Sequence, residues 1–573
     1  MVLPARGPGV PPRRWGRLSA HILALGRSIA LFAAVFSAAT PAFGQSAQKI
    51  VDEYVRAIGG AKVLEAVHSS SISGSIFEKP AEGGASDDSL DTSGTYALIV
   101  KAPNKYYSEF GLASTRTVVA YNGKSGWQKI GADAAVTLTG ANAAACEAET
   151  RYLNGKLLHM KRDRILARVL ETTNVHQQPA YHVELALSPG VKRELFFDTD
   201  THLLVREIIP ALAAANASGE GPSTTEQFDY FFYKPVSGIQ EPQQIELTRN
   251  GRTYRISITR VEINSAVNDA VFNFPSRDSR PLPDIPQLLR DMNKNQRAIE
   301  EIQKLYTCHL NVEEQRFDSK GDVSSRTVKD YDLFFIGDNE VRRLLAKDGK
   351  PLEDDEKKKE DQRFSKEFDE LKKKQADFES DPKKQAKQEE RDDEQISDFL
   401  RAESFTNPRR EIFRGHEVIV FDFAANPDYK PRNLNEQIAQ KLGGVVWVDE
   451  EARDVARLEA RFVDSAKIGG GLVGSLSKGS NLVIEQAKVN DEIWLPTYAE
   501  VHASARLAFL KFKANEIDRY SEYKKFSSQV KLGVSVPLGQ AAAGDTSGGT
   551  LPGPPPSGAQ PPSPNPAPPE TPK

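Results

Sequence analysis

The chain has 573 residues, of which 39% are hydrophobic and 27% are charged, a composition typical of soluble globular proteins. A chain of this length predicts two or three domains. The net charge of −4 excludes the strongly basic surface that nucleic-acid binding requires, so we expect no nucleic-acid partner.

Residues 1–44 have the pattern of a secretory signal peptide. Four arginines between positions 13 and 27 precede an apolar run at residues 28–39, and Ala42-Phe43-Gly44 offers the small residues that a signal peptidase recognises. The apolar run is shorter than the roughly 20 residues that span a bilayer. We therefore expect an exported protein, with an uncleaved membrane anchor as the alternative.

Residues 45–275 have the pattern of one α+β domain. Apolar residues at helical spacing predict a helix from Lys49 to Leu64, and a second helical region is predicted from Glu147 to Val169. Most of the remaining residues alternate between polar and apolar types, which predicts antiparallel strands. Asn-Gly pairs at 122–123 and 250–251 predict hairpin turns between them. A helix combined with many antiparallel strands predicts a strongly curved sheet.

A second domain is predicted at residues 287–535, after a Pro-rich linker at residues 276–286. The same succession of a helix and antiparallel strands begins again there. The pattern Ile-x-x-Pro-x-x-x-Glu at residues 239–246 recurs at residues 493–500. Shared landmarks in the same order indicate that one fold is used twice.

Two segments have no counterpart in the first domain. Residues 353–394 contain 17 acidic and 12 basic residues among 42, which predicts a solvated helical insertion, with a lid or a partner-docking helix as the alternative. The tail at residues 536–573 includes 11 prolines among its last 23 residues, which predicts a disordered segment.

We find no catalytic or metal-binding motif in the sequence. Gly469, Gly471 and Gly474 formally spell GxGxxG, but a predicted strand follows them where a nucleotide-binding loop needs a helix. No His or Cys residues have zinc-ligand spacing, so Cys146 and Cys308 are expected to be isolated thiols, with one disulfide as the alternative. We expect a non-enzymatic protein with no catalytic residues, no metal and no cofactor.

A curved sheet covered by a helix can leave a cavity that binds apolar ligands. Large apolar residues on the predicted inward strand faces are the candidate lining of such cavities. The alternative is that they fill an ordinary core. The candidates are Leu98, Tyr107, Trp127, Phe197 and Phe231 in the first domain, and Leu333, Phe335, Trp447, Val455 and Trp494 in the second.

The segment at residues 50–60 (IVDEYVRAIGG), followed by strands and by Phe-Asn-Phe-Pro at 272–275, resembles the outer-membrane lipoprotein carrier (LolA/LolB-like) superfamily. Trp-Val-Asp at 447–449 and Trp-Leu-Pro at 494–496 resemble a diverged second copy. The resemblance implies two tandem unclosed antiparallel β-barrels, or half-barrels, each plugged by helices. It also implies a periplasmic location and a role in outer-membrane biogenesis.

These observations favour a periplasmic, non-enzymatic carrier that binds a lipid or a lipoprotein acyl chain. One alternative is an envelope sensor or scaffold whose charged insertion and Pro-rich tail engage envelope proteins. A second alternative is an unrecognised periplasmic hydrolase.

Overall fold

The computed structural model describes residues 46–79, 93–112, 115–188, 191–210, 225–276, 279–318, 323–336, 339–468, 474–507 and 510–525. The predicted signal peptide at 1–44 and the predicted Pro-rich tail at 536–573 lie outside the described residues. The described part is α+β, and it contains two large antiparallel sheets, neither of which closes on itself.

The first sheet and a small ribbon are built from fifteen strands. They are β1 Ser69–Glu78, β2 Ser93–Lys101, β3 Lys105–Leu112, β4 Thr115–Tyr121, β5 Gly126–Ile130, β6 Val136–Thr137, β7 Leu166–Val175, β8 Gln178–Ser188, β9 Val191–Asp198, β10 Leu204–Pro210, β11 Thr225–Phe231, β12 Lys234–Val236, β13 Ile239–Glu241, β14 Gln244–Arg249 and β15 Arg252–Ile263.

The strand order of the first sheet is β6-β5-β4-β3-β2-β1-β15-β14-β11-β10-β9-β8-β7, and β12 and β13 pair with each other. The first and last strands, β1 and β15, therefore lie side by side in the middle. A bulge between Ser73 and Gly74 interrupts their register, and such bulges increase the local twist and bend of a strand.

Four helices and one 3-10 turn accompany this sheet: α1 Ala47–Ala57, α2 Ala61–Glu65, α3 Gly140–Gly155, α4 Met160–Asp163 and the turn Asp269–Phe272. Ser46 caps α1, and its Oγ accepts a hydrogen bond of 3.3 Å from the Lys49 amide. The predicted helix at 147–169 is wrong beyond Asp163, because the chain enters β7 at Leu166.

The second sheet contains thirteen strands. They are β16 Tyr306–Phe317, β17 Val323–Ile336, β18 Asn339–Lys347, β19 Lys350–Pro351, β20 Glu403–Phe413, β21 His416–Ala425, β22 Leu442–Asp449, β23 Val455–Phe462, β24 Ala466–Ile468, β25 Gly474–Leu476, β26 Asn481–Val489, β27 Ile493–Leu507 and β28 Leu510–Lys525.

The strand order of the second sheet is β19-β18-β17-β16-β28-β27-β26-β23-β22-β21-β20, with β24 and β25 attached beside β27. In both sheets the first strand pairs with the last, and the other strands follow outward from this central pair in chain order. The two sheets therefore share one connection pattern, although the first sheet carries two more strands on its N-terminal side.

Four helices accompany the second sheet: α5 Ile285–Gln303, α6 Asp354–Glu379, α7 Pro382–Ala402 and α8 Leu434–Ala439. The charged insertion is helical and consists of two helices, α6 and α7. Asp381 separates them and caps α7, and its Oδ1 accepts a hydrogen bond of 3.0 Å from the Lys383 amide. Phe364 anchors α6 on Phe334 of β17, with 5.3 Å between ring centroids.

A buried polar network joins the two sheets. The Arg409 Nε donates a hydrogen bond of 2.9 Å to the Thr137 Oγ, and the Thr137 amide donates one of 3.0 Å to Glu411. The Ser125 hydroxyl donates a bond of 2.9 Å to Asp422, which also accepts a bond of 3.1 Å from Arg409. Strand β20 of the second sheet is thereby held against β6 of the first.

Cys146 and Cys308 are both buried and free, so the isolated-thiol expectation is confirmed and the disulfide alternative is wrong. Each lies in the apolar interior beside a different sheet. No helix in the described ranges is long and apolar enough to cross a membrane.

Candidate functional site

A cavity of about 530 Å³ lies between the first sheet and helices α1 and α3. Its wall includes Ile130 of β5 and Leu187 of β8. These strands stand ten positions apart in the sheet order, which would separate them by about 48 Å in a flat sheet at roughly 4.8 Å per strand. Because both line one cavity, the sheet curls around it.

The sheet side of the cavity is mainly apolar. Side chains of a strand alternate between the two faces, and every second residue of β2 and β3 reaches the cavity. The apolar and aromatic residues of the strands that line it are Ile72, Tyr96, Leu98, Val100, Tyr106, Phe110, Val119, Ile130, Leu187, Val191, Leu204, Ile209, Phe228, Tyr230, Ile245 and Leu247.

Small side chains occupy part of the helix side of the cavity. Residues 143–145 of α3 are all alanine, and Ala145 and Cys146 line the cavity. Their short side chains end close to the helix backbone, so they do not fill the space between α3 and the strands.

A cluster of charged groups interrupts the apolar lining. Arg193 of β9 forms ion pairs with Glu149 of α3 and Glu207 of β10, the latter at 2.6 Å. The Tyr152 ring lies 3.7 Å from the guanidinium carbon. The Tyr230 hydroxyl donates a hydrogen bond of 3.4 Å to Glu207. All five side chains are part of the cavity wall.

Burial is the largest cause of the pKa shifts in the cavity. It raises the pKa of Glu207 to about 7, and the negative charge of Glu149 adds to this while Arg193 opposes it. Burial likewise raises the pKa of Glu241 and lowers the pKa of Lys156, which both line the cavity. The pKa of the Cys146 thiol is raised well above its usual range for the same reason, so this thiol stays protonated and unreactive.

The second sheet carries a buried apolar cluster between its helices and its strands. Leu288, Leu289 and Met292 of α5 and Ile396 of α7 pack against strands β21, β22 and β23 in one buried cluster. The space beside Phe462 and Leu476, at the β24 and β25 side of this sheet, measures only about 10 Å³.

The structure places the predicted lining residues of the first sheet at several different locations. Leu98 lines the cavity. Tyr107 and Trp127 pack on the opposite face of the sheet, where the Trp127 Nε1 donates a hydrogen bond of 3.0 Å to the Phe272 carbonyl. Phe197 is buried against Tyr54 of α1, at 5.0 Å between ring centroids.

Phe231, the remaining candidate in the first sheet, contacts the His176 ring at 5.0 Å. It is absent from the cavity wall, which its neighbour Tyr230 reaches instead.

The second-sheet candidates occupy a packed interior. Leu333 and Phe335 share a core cluster that includes Cys308, and Val455 packs against the cluster beneath α5. Trp447 and Trp494 share a separate cluster, in which the Trp494 Nε1 donates a hydrogen bond of 3.0 Å to Asp449.

Sequence reasoning missed the charged residues of the cavity. The signal for Arg193 is its register on β9, because Arg193, Leu195 and Phe197 alternate on one face and the last two are fully buried. A charged residue in such an apolar series marks a special position. Glu149 and Glu207 carry no comparable signal, because their proximity to Arg193 depends on the tertiary fold.

No protein-family model matches the chain, and no curated protein matches it significantly. Solved structures with similarity include a LolA-superfamily protein from Nitrosomonas europaea (13% identity, TM-score 0.27) and a DUF1329-family protein from Desulfovibrio piger (15% identity, TM-score 0.27). Each alignment covers 40% of this chain and 98% of the other. The Pseudomonas aeruginosa MucA/MucB complex aligns with 83% of this chain and 99% of the other, at 8% identity and a TM-score of 0.15.

Proposed function

We propose that the protein is a non-enzymatic binding protein that holds the acyl chain of a lipid or lipoprotein in the first-sheet cavity. The observation that carries this proposal is the mainly apolar cavity of about 530 Å³. Its volume falls within the range of roughly 300–1,000 Å³ that is usual for small-molecule sites. An empty apolar cavity also loses packing contacts that a bound chain would restore.

The energetics favour a flexible hydrocarbon chain as the ligand. Burial contributes about 0.8 kcal/mol for each methylene. Ten buried methylenes therefore contribute about 8 kcal/mol, which corresponds to a Kd of about 1 μM. The loss of translational and rotational freedom on association offsets part of this favourable free energy and raises the Kd. Longer acyl chains bury more methylenes and are therefore the better ligands.

We further propose that residues 45–275 and 287–535 are tandem half-barrel domains of LolA-like type, joined by the linker at 276–286. The common connection pattern of the two sheets supports this division. The basic and apolar pattern of residues 1–44 supports export to the periplasm. Only the first domain is assigned a ligand, because the cavity of about 530 Å³ lies there, whereas the helices of the second domain pack on their sheet in a buried apolar cluster.

A second candidate function is an envelope sensor or scaffold that contacts other proteins through the second domain. The observation that favours it is the helical hairpin α6–α7, because no residue of the 26-residue helix α6 is fully buried. An exposed charged helix of this length offers a surface for protein contacts. This role is compatible with ligand binding in the first domain.

The acyl-binding proposal can be tested with a matched pair of variants on β2. Leu98 lines the cavity, whereas its neighbour Ile99 is absent from the cavity wall and lies on the other face of the strand. Leu98→Trp places a larger side chain where the acyl chain would lie, and Ile99→Trp places the same side chain outside the cavity. Excluding two methylenes costs about 1.6 kcal/mol, so Leu98→Trp should weaken binding by about tenfold or more.

Binding is measured by titrating the purified full-length chain with pyrenyldecane and following the pyrene emission. The proposal predicts saturable binding to the unmodified chain and to Ile99→Trp, and weakened binding to Leu98→Trp. Equal affinity of the two variants, or no binding to the unmodified chain, would contradict it.

A further inference from the structure

Arg193 is the feature of the cavity that an acyl chain alone does not explain. Its side chain is only 2% exposed and lies on the β9 face that also carries Leu195 and Phe197. A guanidinium is costly to bury unless charges and hydrogen bonds compensate it. A cavity that served only hydrocarbon would be better lined by an aliphatic residue at this position.

The charge of Arg193 is compensated, but its hydrogen-bonding capacity is not used up. Glu149 and Glu207 supply two carboxylates, and the Tyr152 ring covers one face of the guanidinium. The Nε atom, in contrast, is buried and makes no hydrogen bond to any residue that the structure describes. A buried N–H group without an acceptor is unfavourable, and Arg193 belongs to the cavity wall.

The charges of the cavity wall indicate whether a charged or an uncharged ligand oxygen fits beside Arg193. The wall carries four carboxylates and four cationic side chains, which balance one another: Glu149, Glu207, Glu226, Glu241, Lys156, Lys192, Arg193 and Arg249. The wall as a whole therefore has no excess positive charge that would attract an anionic head group. Next to Arg193 the two carboxylates repel an anion directly.

We propose that Arg193 is the head-group residue of this site and donates its Nε–H to the carbonyl oxygen of an uncharged acyl ester or acyl amide. The inference rests on the proposed acyl-binding function and narrows it to one ligand class. A glycerolipid supplies an ester carbonyl, and an acylated protein N-terminus supplies an amide carbonyl. The hydrocarbon chain then extends from Arg193 along the apolar strand faces.

The test compares ligands that share one chain length and differ only in the head group: decane, methyl decanoate, decanamide and decanoate. Each displaces pyrenyldecane from the full-length chain at pH 8. We expect the ester or the amide to bind about tenfold tighter than decane, which corresponds to about 1.4 kcal/mol. Whichever of the two binds more tightly identifies a glycerolipid or an acylated N-terminus as the source.

Arg193→Met should abolish this preference, because Met keeps an unbranched apolar stem of similar length but has no N–H group to donate. Since Arg193→Met leaves two carboxylates without their cation, the triple variant Arg193→Met, Glu149→Leu, Glu207→Leu is measured beside it, because Leu removes both charges without adding an N–H donor. Arg168→Met serves as the control, because Arg168 is paired with Glu184 and its side chain is 66% exposed. It should keep the full preference.

The head-group assignment would be overturned by an ester and amide preference that survives in the triple variant, or by decanoate as the tightest ligand of the unmodified chain. A chain that binds decane with no preference among head groups would also overturn it, while leaving the proposed function intact. Failure of all four ligands to displace the probe, together with absent probe binding, would reject the proposed function itself.

Discussion

Glu207 lies at the point where the apolar cavity meets its charged cluster, and it is only 5% exposed. Burial raises its pKa to about 7 in the folded chain, whereas an unfolded chain leaves the carboxyl in water with its ordinary pKa. The folded state therefore binds more protons than the unfolded state between these two values. The contribution of Glu207 to the free energy of unfolding is therefore present at acidic pH and is lost as the pH rises towards 7.

Replacing Glu207 with Gln should remove this pH dependence. The unmodified chain should lose free energy of unfolding as the pH rises from the ordinary carboxyl range to about 7, and Glu207→Gln should flatten that decline. The measurement is urea unfolding at a series of pH values in this window. Glu171→Gln is the control, because the Glu171 side chain is 65% exposed. A decline of equal slope in both variants would contradict the assignment.

The residue pattern of a strand predicts which residues share a face. It predicts less well which of the two faces lines the cavity. The alternation of β2 places Leu98 and Ile99 on opposite faces, and only Leu98 of the two lines the cavity. Leu98 and Gln128 line the cavity, whereas Trp127 packs on the other face although it is the more apolar residue. Both faces of the sheet are partly buried, so hydrophobicity alone cannot assign them. The buried Arg193 cluster was not predictable, because its acids come from other elements.

At the scale of elements, the cavity depends on which helix covers each sheet. The alanine-rich α3 faces the cavity of the first sheet, whereas α5 places Leu288, Leu289 and Met292 against the second sheet. The two sheets share a connection pattern, and the small residues at the N-terminal half of α3 are one feature that distinguishes the first sheet.

Enlarging one alanine of α3 should therefore close part of the cavity. Ala145 lines the cavity and Ala144 does not. Ala145→Leu should weaken acyl binding by about tenfold and stabilise the empty chain by about 0.5–2 kcal/mol, as cavity-filling substitutions commonly do. Ala144→Leu, which carries the same change of helix propensity, should leave the affinity unchanged. Pyrenyldecane titration and urea unfolding check both effects, and equal affinities would count against the role of α3.

The sequence predicts the strands more accurately than the helices. The alternation and the Asn-Gly turns correctly indicated long antiparallel hairpins such as β4–β5 and β14–β15. The apolar spacing of Leu166–Val169 fits both the helical and the strand period, and pairing with β8 makes this segment a strand. The break between α6 and α7 was signalled by Asp381-Pro382, a cap followed by a first-turn proline.

At the scale of the whole molecule, the interface between the sheets is polar and buried. Arg409, Glu411 and Asp422 are each less than 7% exposed, yet they hold β20 against the first sheet. Polar residues on a strand ordinarily predict a solvent-facing side, so this interface could not be predicted from the sequence. The charged groups of this interface stabilise one another, because burying any one of them unpaired would be unfavourable.

Arg409→Met should destabilise the chain by about 3–5 kcal/mol, because it leaves two buried carboxylates without a cation. The control is Arg414→Met, since Arg414 is paired with Glu485 but is 44% exposed. That variant should cost less than about 1 kcal/mol. Urea unfolding followed by tryptophan fluorescence gives both values. Equal small losses would show that the network does not hold the sheets together.

The central claim is that one of two similarly connected sheets binds an acyl ligand while the other is a packed core. Native mass spectrometry of the full-length chain titrated with methyl decanoate measures this directly as the number of ligands bound. The account predicts one ligand per chain, with its occupancy reduced in Leu98→Trp and retained in Ile99→Trp. Two ligands per chain would contradict the packed second sheet, and none would contradict the cavity as a binding site.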